Sequence, residues 1–519
     1  MTSSAERVGA GLAAAREPHA IRQGERIHVV GGAGAGASAA ALLAARAGAR
    51  VTACDPGAPS PYTPALEAMG IPIATRHDAS HVIGTPAPDR LAVTKALTAI
   101  DPDHPELVAA RARSIPLEPW QQVVADAAVG RTLVAVAGTH GKSTTAGWLV
   151  HVLVEAGEDP SAFVGALLPS SLSGGPPATA RSGTGPAFVV EADEYAGNFD
   201  PYHPEVAILT SAEWDHPDVF ADGEAVGRAF EGWIRRASPT AVLIANVGDP
   251  GVEQLVTHLS DWPGAMLVYA LLDQAPQRVG GYARAMAERF TTAAGPAAAL
   301  LGRVVAAEPE TTGLEIQGLD PLAGPLNTRL PTAGRHNAAN ALAVAAAAMT
   351  LGVPAATIVT ALGSFAGVGR RLEWKGTVAG ITVYDDYGHH PTAIRETLAA
   401  VRQRAPGRRV WAVLEPLTYH RTAAMLDELA DALSGADAVA VADIWAGRDP
   451  DTTIASPDAL ASATVARRPG IPVLATGSVE MTAQRLAAEL VPGDVVLVMG
   501  GGRSYRIGEL LLERLEARP

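Results

Sequence analysis

From Arg26 onward, short apolar, β-branched runs alternate with longer stretches of helical periodicity, and most of the runs stop at a glycine or a carboxylate. This alternation selects parallel α/β architecture. Parallel strands need a crossover between them, usually a helix, and a sheet covered on both faces reads as continuous apolar strands. A chain of 519 residues corresponds to about three domains, and the runs fall into three blocks.

The first block, 26–128, opens with the strand "RIHVV", the glycine turn "GGAGAGA", an alanine-rich helix and the strand "RVTACD". It reads as a βαβ unit in a Rossmann-like domain. The second block, 129–371, contains "TLVAVAGTHGKST", "AFVVEADE", "EVAILTSAEWDHPD" and "TAVLIANVGDP". An Ala/Arg-rich segment at 274–301 reads as an inserted helix within it. The third block, 372–519, carries the strands "ITVYDD", "RRVWAVLEP", "AVAVADI", "PVLAT" and "DVVLVMG". Residues 1–25 carry charges throughout without a secretory apolar core and read as a loose tail.

Composition excludes several classes. The formal net charge is -14 and there is no long basic run, which argues against nucleic-acid binding. No uncharged apolar run reaches the roughly 18 residues of a membrane span. The single cysteine, Cys54, rules out an intramolecular disulfide and a cysteine-rich zinc site. A cytoplasmic enzyme fits these bounds. Only three lysines occur, Lys95, Lys142 and Lys375.

Lys142 stands in the most informative stretch, "VAVAGTHGKSTTAGWLV". Gly138 and Gly141 let the backbone turn its N–H groups toward an anion, and the following helix N-terminus adds partial positive charge. Lys142 is placed to reach β- and γ-phosphates and Ser143 to ligate magnesium, although Val136 stands where a phosphate loop usually has its first glycine. "VVEADEY" crowds Glu191, Asp193 and Glu194 at a strand end, where carboxylates need compensation. Glu191, first after the strand, is the metal-ligand candidate, and an acidic helix start is the plainer alternative. His216 in "TSAEWDHPD" ends the next strand among acids and is a second ligand candidate.

In "GRHNAANA", Asn337 and Asn340 share a helix face and are suited either to capping or to reading an adenine edge. "GVGRRLE" offers Arg370 and Arg371, and a fixed guanidinium there would clamp a γ-phosphate. "YDDYGHHP" brings Asp385, Asp386, His389 and His390 to a strand end facing the second block. The first-block glycines, Gly31, Gly32, Gly34 and Gly36, suit dinucleotides, UDP-sugars and other ligands alike, and Asp55 is placed to take a ribose hydroxyl. Taken alone, that turn would also suggest a nicotinamide oxidoreductase, a reading that leaves the phosphate loop and "EADE" unexplained.

In this order, "IHVVGGAGAGAS", "GTHGKST", "EADE", "DHPD", "GRHNAANA", "GRRLE" and "YDDYGHHPTAI" resemble the Mur ligase family over nearly the whole chain. The resemblance implies a three-domain α/β architecture: a Rossmann-like N-terminal domain, a P-loop ATPase-like central domain and a Rossmann-like C-terminal domain. It implies ATP and Mg2+, with Gly138, Thr139, His140, Gly141, Lys142, Ser143 and Thr144 around the triphosphate. Ser143, Glu191 and His216 would bind magnesium, Asn337 and Asn340 adenine. Arg371 and Asp386 would close the third domain over ATP. Gly31, Gly34, Gly36, Ser38 and Asp55 would serve the nucleotide sugar UDP-N-acetylmuramate. His389, His390 and Arg421 would serve the amino acid, for which the motifs favour L-alanine over a murein tripeptide. A monomer or homodimer is expected.

The chain departs from the family pattern at four places. Glu415, Pro416 and Leu417 replace its usual Gln-Pro-His. Ser211 replaces an asparagine, Arg503 an aspartate, and Ala37 a methionine. These changes bear on the acceptor and the sugar rather than on ATP.

Overall fold

The computed structural model describes residues 8–272, 279–320, 322, 324–447, 449 and 451–517. Three sheets carry the chain. The first is all-parallel, ordered Ile73–Ala74, Arg50–Cys54, Arg26–Val30, Arg90–Val93, Leu117–Pro119. Its middle strand, Arg26–Val30, is buried on both faces, hence the run without alternation. Helix Ala35–Arg46 packs against Trp120–Ala127. A Cβ on Gly36 would lie 2.1 Å from the Trp120 ring, so glycine permits that approach.

The second sheet has ten strands. Thr132–Ala137 lies in its interior between Val206–Leu209 and Ala187–Glu191, all parallel. Helices Lys142–Glu155 and Arg335–Thr350 pack together, and alanines of the second helix are buried in the core. Trp148 stacks on Phe365 at 4.8 Å between ring centroids, a contact whose truncation to alanine costs about 3–5 kcal/mol. The third sheet has six strands. Its parallel part is Ile381–Asp386, Val495–Gly500, Val410–Glu415, Ala438–Ala442 and Val473–Gly477, with Glu373–Val378 antiparallel at one edge.

Three expectations need correction. Residues 8–25 are not a loose tail. Arg16 donates to Glu118 at 2.8 Å and to Asp126 at 2.8 Å, both buried, Ile21 joins the core, and residues 1–7 lie outside the described residues. Two buried carboxylates supply the anchor that charge counting does not reveal. The 274–301 segment is more than a helix. Val279–Arg289 is helical, then Thr291–Thr292 and Gly295–Pro296 pair antiparallel, and Ala298–Ala307 joins the second sheet; 274–278 lie outside the described residues. The strand reading also omitted Ser161–Leu168 and Ala265–Leu271, whose Ala, Gly and Met content weakens the β-rich signal. No described helix is long and apolar enough to cross a membrane.

Candidate active site

The phosphate-loop strand ends at Ala137, and the chain turns at Gly138 with φ +131°. A Cβ there would lie 2.3 Å from Thr210 Oγ1 and 2.8 Å from the Ser211 nitrogen, so the neighbouring strand end demands glycine. Gly141, at φ +81°, caps helix Lys142–Glu155. The adjacent strand end holds the turn in place. The His140 N–H donates to Ser211 Oγ at 2.8 Å, and Thr139 Oγ1 donates to the Glu213 carbonyl at 3.0 Å. Ser211, a departure expected to bear on the acceptor or the sugar rather than on ATP, instead fastens the phosphate loop.

Lys142 Nζ donates to the Gly138 carbonyl at 2.6 Å and to Glu194 Oε2 at 2.9 Å, with Asp193 at 3.6 Å. Burial works against its charge, but the Glu194 and Asp193 carboxylates outweigh it and raise its pKa. Burial pushes the Glu194 carboxyl upward despite that neighbour. Ser143 Oγ donates to Glu191 Oε1 at 3.0 Å and accepts from Arg371 Nη2 at 2.9 Å. Glu191 Oε2 accepts the Gly165 N–H at 2.6 Å, and a Cβ on Gly165 would collide with that carboxylate at 2.9 Å.

A hydroxyl and a carboxylate oxygen 3.0 Å apart are a hard-oxygen pair of the kind magnesium takes beside phosphates. His216, expected with them, groups with Asp193 and Glu194, their donor atoms lying within 4.8 Å of one another. Its Nδ1 is 3.2 Å from Arg421 Nη2, and its ring lies against Tyr195 at 4.8 Å.

Third-domain side chains close the opposite wall. Asp386 accepts the Leu372 N–H at 2.7 Å and the Gly388 N–H at 2.6 Å. Both oxygens are engaged by backbone, so Asp386 shapes the crossover in which Arg370 and Leu372 take φ +57° and +48°. Arg370 turns inward to Asp385 at 3.0 Å and leaves Arg371 facing the phosphate loop. His389 is held well below the ordinary histidine value, first by burial and then by Arg421. Burial and the neighbouring His140 lower His390 to about 4. Glu213 falls to about 2, because its bond to His140 at 3.0 Å outweighs burial.

Asn337 and Asn340 are each 7 % exposed. Asn340 Nδ2 donates to Asn337 Oδ1 at 3.4 Å, and Asn340 Oδ1 would lie 2.5 Å from a Cβ on Gly141. The pair thus sits directly behind the loop. A cavity of about 730 Å³ joins these groups, Thr139 to Thr144 included. It runs from Gly36 and Trp120 in the first domain to His389, His390, Arg421, Leu417 and Trp445 in the third.

Five expected residues do not line it: Gly138, which makes the loop's turn, and four of the first domain. Gly31 donates its N–H to the Cys54 carbonyl at 2.9 Å, and Gly34 caps helix Ala35–Arg46. Asp55 accepts from Ala33 at 2.9 Å and Gly57 at 2.7 Å. Ser38 is fully buried against Thr179 at 3.2 Å. Gly31, Gly34 and Asp55 build the turn rather than the wall, and Ser38 ties the following helix to the central domain. The sequence reading gave no role to Trp120, Asp249 or Trp445, which also line the cavity. Asp249 was legible as a carboxylate just past a strand end, whereas nothing local marks Trp120 or Trp445.

Three family descriptions match the chain: "Mur ligase family, catalytic domain" over residues 26–132, "Mur ligase middle domain" over 136–348, and "Mur ligase, glutamate ligase domain" over 370–502. A UDP-N-acetylmuramate–L-alanine ligase of Frankia casuarinae is 38% identical over 453 residues, covering 82% of this chain and 84% of that one. The solved UDP-N-acetylmuramate–alanine ligase of Thermotoga maritima superposes with a TM-score of 0.72 at 25% identity, covering 95% of this chain and 99% of that one. A murein peptide ligase of Psychrobacter arcticus superposes with a TM-score of 0.69 at 25% identity, covering 96% and 100%. The ordered motifs, the three sheets and these similarities converge: the chain belongs to the Mur ligase family, whose members form amide bonds at the expense of ATP.

Proposed function

We propose that the protein joins L-alanine to the carboxylate of UDP-N-acetylmuramate in peptidoglycan precursor synthesis, converting ATP to ADP and phosphate. The observation that carries this reading is Arg371 reaching from the third-domain crossover to Ser143 of the phosphate loop at 2.9 Å, within one cavity spanning three domains. The named relatives support the choice of substrates.

The reaction needs an activated carboxylate. A carboxylate oxygen of the sugar attacks the γ-phosphorus and ADP leaves, giving an acyl phosphate. The alanine amine then attacks the acyl carbon, loses a proton, and phosphate departs from the tetrahedral intermediate. Catalysis of this kind is mainly positioning and charge stabilisation.

Backbone N–H groups from Gly138 to Thr144 cradle the phosphates. Lys142 Nζ exchanges part of its pairing with Glu194 for the transferring phosphoryl group, and Arg371 approaches from the other side. Ser143, Glu191 and His216 would hold magnesium, which when bound neutralises phosphate charge. Asn337 and Asn340 lie where the adenine would follow the loop. Gly36 marks the sugar-nucleotide end, and His389, His390 and Arg421 the amino-acid end. Closure of the third domain excludes water from the acyl phosphate.

Phosphate release from ATP with UDP-N-acetylmuramate, scanned over L-alanine, glycine, L-serine and a murein tripeptide, tests the reading. Turnover with L-alanine that disappears in Lys142→Ala supports it. Turnover with the tripeptide alone moves the acceptor, and silence with every acceptor rejects the muramyl substrate.

A further inference from the structure

Away from the cavity, the first domain gathers His28, His77, His81, His104, Cys54 and Glu106 against one face of its sheet. His28 and Cys54 come from the paired parallel strands Arg26–Val30 and Arg50–Cys54. His81 belongs to the short helix Ser80–Ile83 and Glu106 to the first turn of Pro105–Ala112, and these two helices pack together. One donor atom each from His28, Cys54, His81 and Glu106 lies within 4.8 Å of the others. Cys54 Sγ is 3.1 Å and His28 Nε2 3.5 Å from Glu106 Oε2, while His81 Nδ1 is 2.7 Å from Oε1. Tetrahedral zinc bonds of about 2.0–2.3 Å place ligand atoms roughly 3.3–3.8 Å apart, so small side-chain adjustments complete the set.

Two observations set this cluster apart from a self-satisfied polar core. His28 is 2 % exposed and its Nε2 completes no hydrogen bond, its contact with Glu106 Oε2 being long at 3.5 Å, while its Nδ1 is fixed 2.7 Å from the Thr52 hydroxyl. An imidazole oriented through one nitrogen, with the other aimed at donors, is the arrangement of a metal-bound histidine. Glu106 also cannot satisfy the imidazoles around it. Its oxygens already accept from Cys54, His81 and the Asp78 N–H, and the buried His104 has both ring nitrogens unpartnered.

We propose that the first domain binds one zinc ion through His28, Cys54, His81 and Glu106. A single thiolate suffices in such a mixed set. On binding, the Cys54 S–H bond breaks, its proton leaves to solvent, and sulfur donates to the metal. His77 and His81, whose side chains are 21 % and 20 % exposed, mark the side open to solvent. The site lies beneath the glycine turn. The Cys54 carbonyl accepts the N–H groups of Gly31 and Gly32 at 2.9 and 3.1 Å, so the ion would tether that turn.

The test uses the full chain stripped with chelator, titrated with Zn2+ or Co2+ alone in magnesium buffer, and passed through gel filtration before metal analysis. The expected result is one zinc retained per chain and a thiolate-to-cobalt charge-transfer band in the near ultraviolet. Cys54→Ser abolishes the band, His28→Gln abolishes stoichiometric retention, and Thr52→Val, at an exposed residue, weakens zinc binding about tenfold. No retained zinc in the wild type overturns the proposal. So does zinc binding that is unchanged in both Cys54→Ser and His28→Gln, which would place the ion at the active-site carboxylates. The cobalt spectrum of the wild type decides even if a variant fails to fold.

Discussion

Arg421 of the third domain donates to Asp215 of the central domain at 2.7 Å, with side-chain exposures of only 3 % and 7 %. The same guanidinium lies 3.2 Å from His216 Nδ1, so one side chain couples the third domain to the candidate metal-side histidine. Burial opposes the Asp215 charge, but His216 and Arg421 hold its pKa well below the ordinary carboxylate value.

Removing one partner of a buried pair leaves the other charge uncompensated, at about 3 kcal/mol. Arg421→Ala is expected to lower kcat/KM for the amino acid by on the order of 100-fold. The Asp215→Asn/Arg421→Ala double variant should lose much less than the sum of the singles. Steady-state kinetics of the four proteins measures the coupling, and additive losses would mean the pair carries none.

Lys142→Ala is expected to reduce phosphate release by on the order of 1,000-fold, the loss typical of one preorganised charge-stabilising group. Lys142→Arg should not restore it, because Nζ fits between the Gly138 carbonyl and Glu194, and a planar fork does not. Near wild-type turnover in the arginine variant would remove this role from the ammonium.

Stability should fall on acidification in a window shared by His390 and His389, both depressed on folding. The His390 pKa drops from 6.5 to about 4 on folding, so the unfolded chain binds more protons between those values. Its contribution is fully present above about 6.5 and is lost as pH falls toward 4, worth about 3 kcal/mol. Glu213, lowered from 4.5 to about 2, acts in the lower window between those values. Urea unfolding from pH 7 to 4 measures the slope, which His390→Asn should flatten. An unchanged slope would assign the protons elsewhere.

Gly141→Ala is expected to destabilise the protein by about 1–2 kcal/mol, since a side chain at φ +81° is strained. Its Cβ would also displace Asn340 Oδ1, which sits 2.5 Å from that position. ATP affinity should fall together with thermal stability. A variant that loses stability yet binds ATP normally would separate Asn340 from the nucleotide.

Leu417 lines the cavity close to Gly501, where the family pattern has histidine. Leu417→His is expected to change the KM for the amino acid while leaving the KM for ATP within about twofold, because the phosphate loop lies on another domain. Parallel KM measurements for both substrates check this.

Much of the site was legible because its chemistry is local. Gly138, Gly141, Lys142 and Ser143 occupy one turn, and a phosphate loop needs glycines, a lysine and a helix start within a few residues. Glu191 and His216 stood out because strand ends collect ligands in parallel sheets, and three parallel-cored sheets formed from the runs that ended in glycine and carboxylate. Asp193 and Glu194 were undervalued, since only the fold brings Lys142 within 3.6 Å and 2.9 Å of them.

The sequence by itself determined the α/β class, the phosphate turn and the order of the motifs, because strand period, glycine conformation and helix start are properties of a few adjacent residues. Tertiary structure decided which side chains meet. Asp215 and Arg421 lie 206 residues apart, and Ser143 and Arg371 lie 228 apart. No local pattern encodes such a distance. It also spent Asp55, Ser38 and Asp386 on backbone and neighbouring groups. Whether a polar side chain faces a ligand or its own chain depends on which donors the packed domains leave unsatisfied.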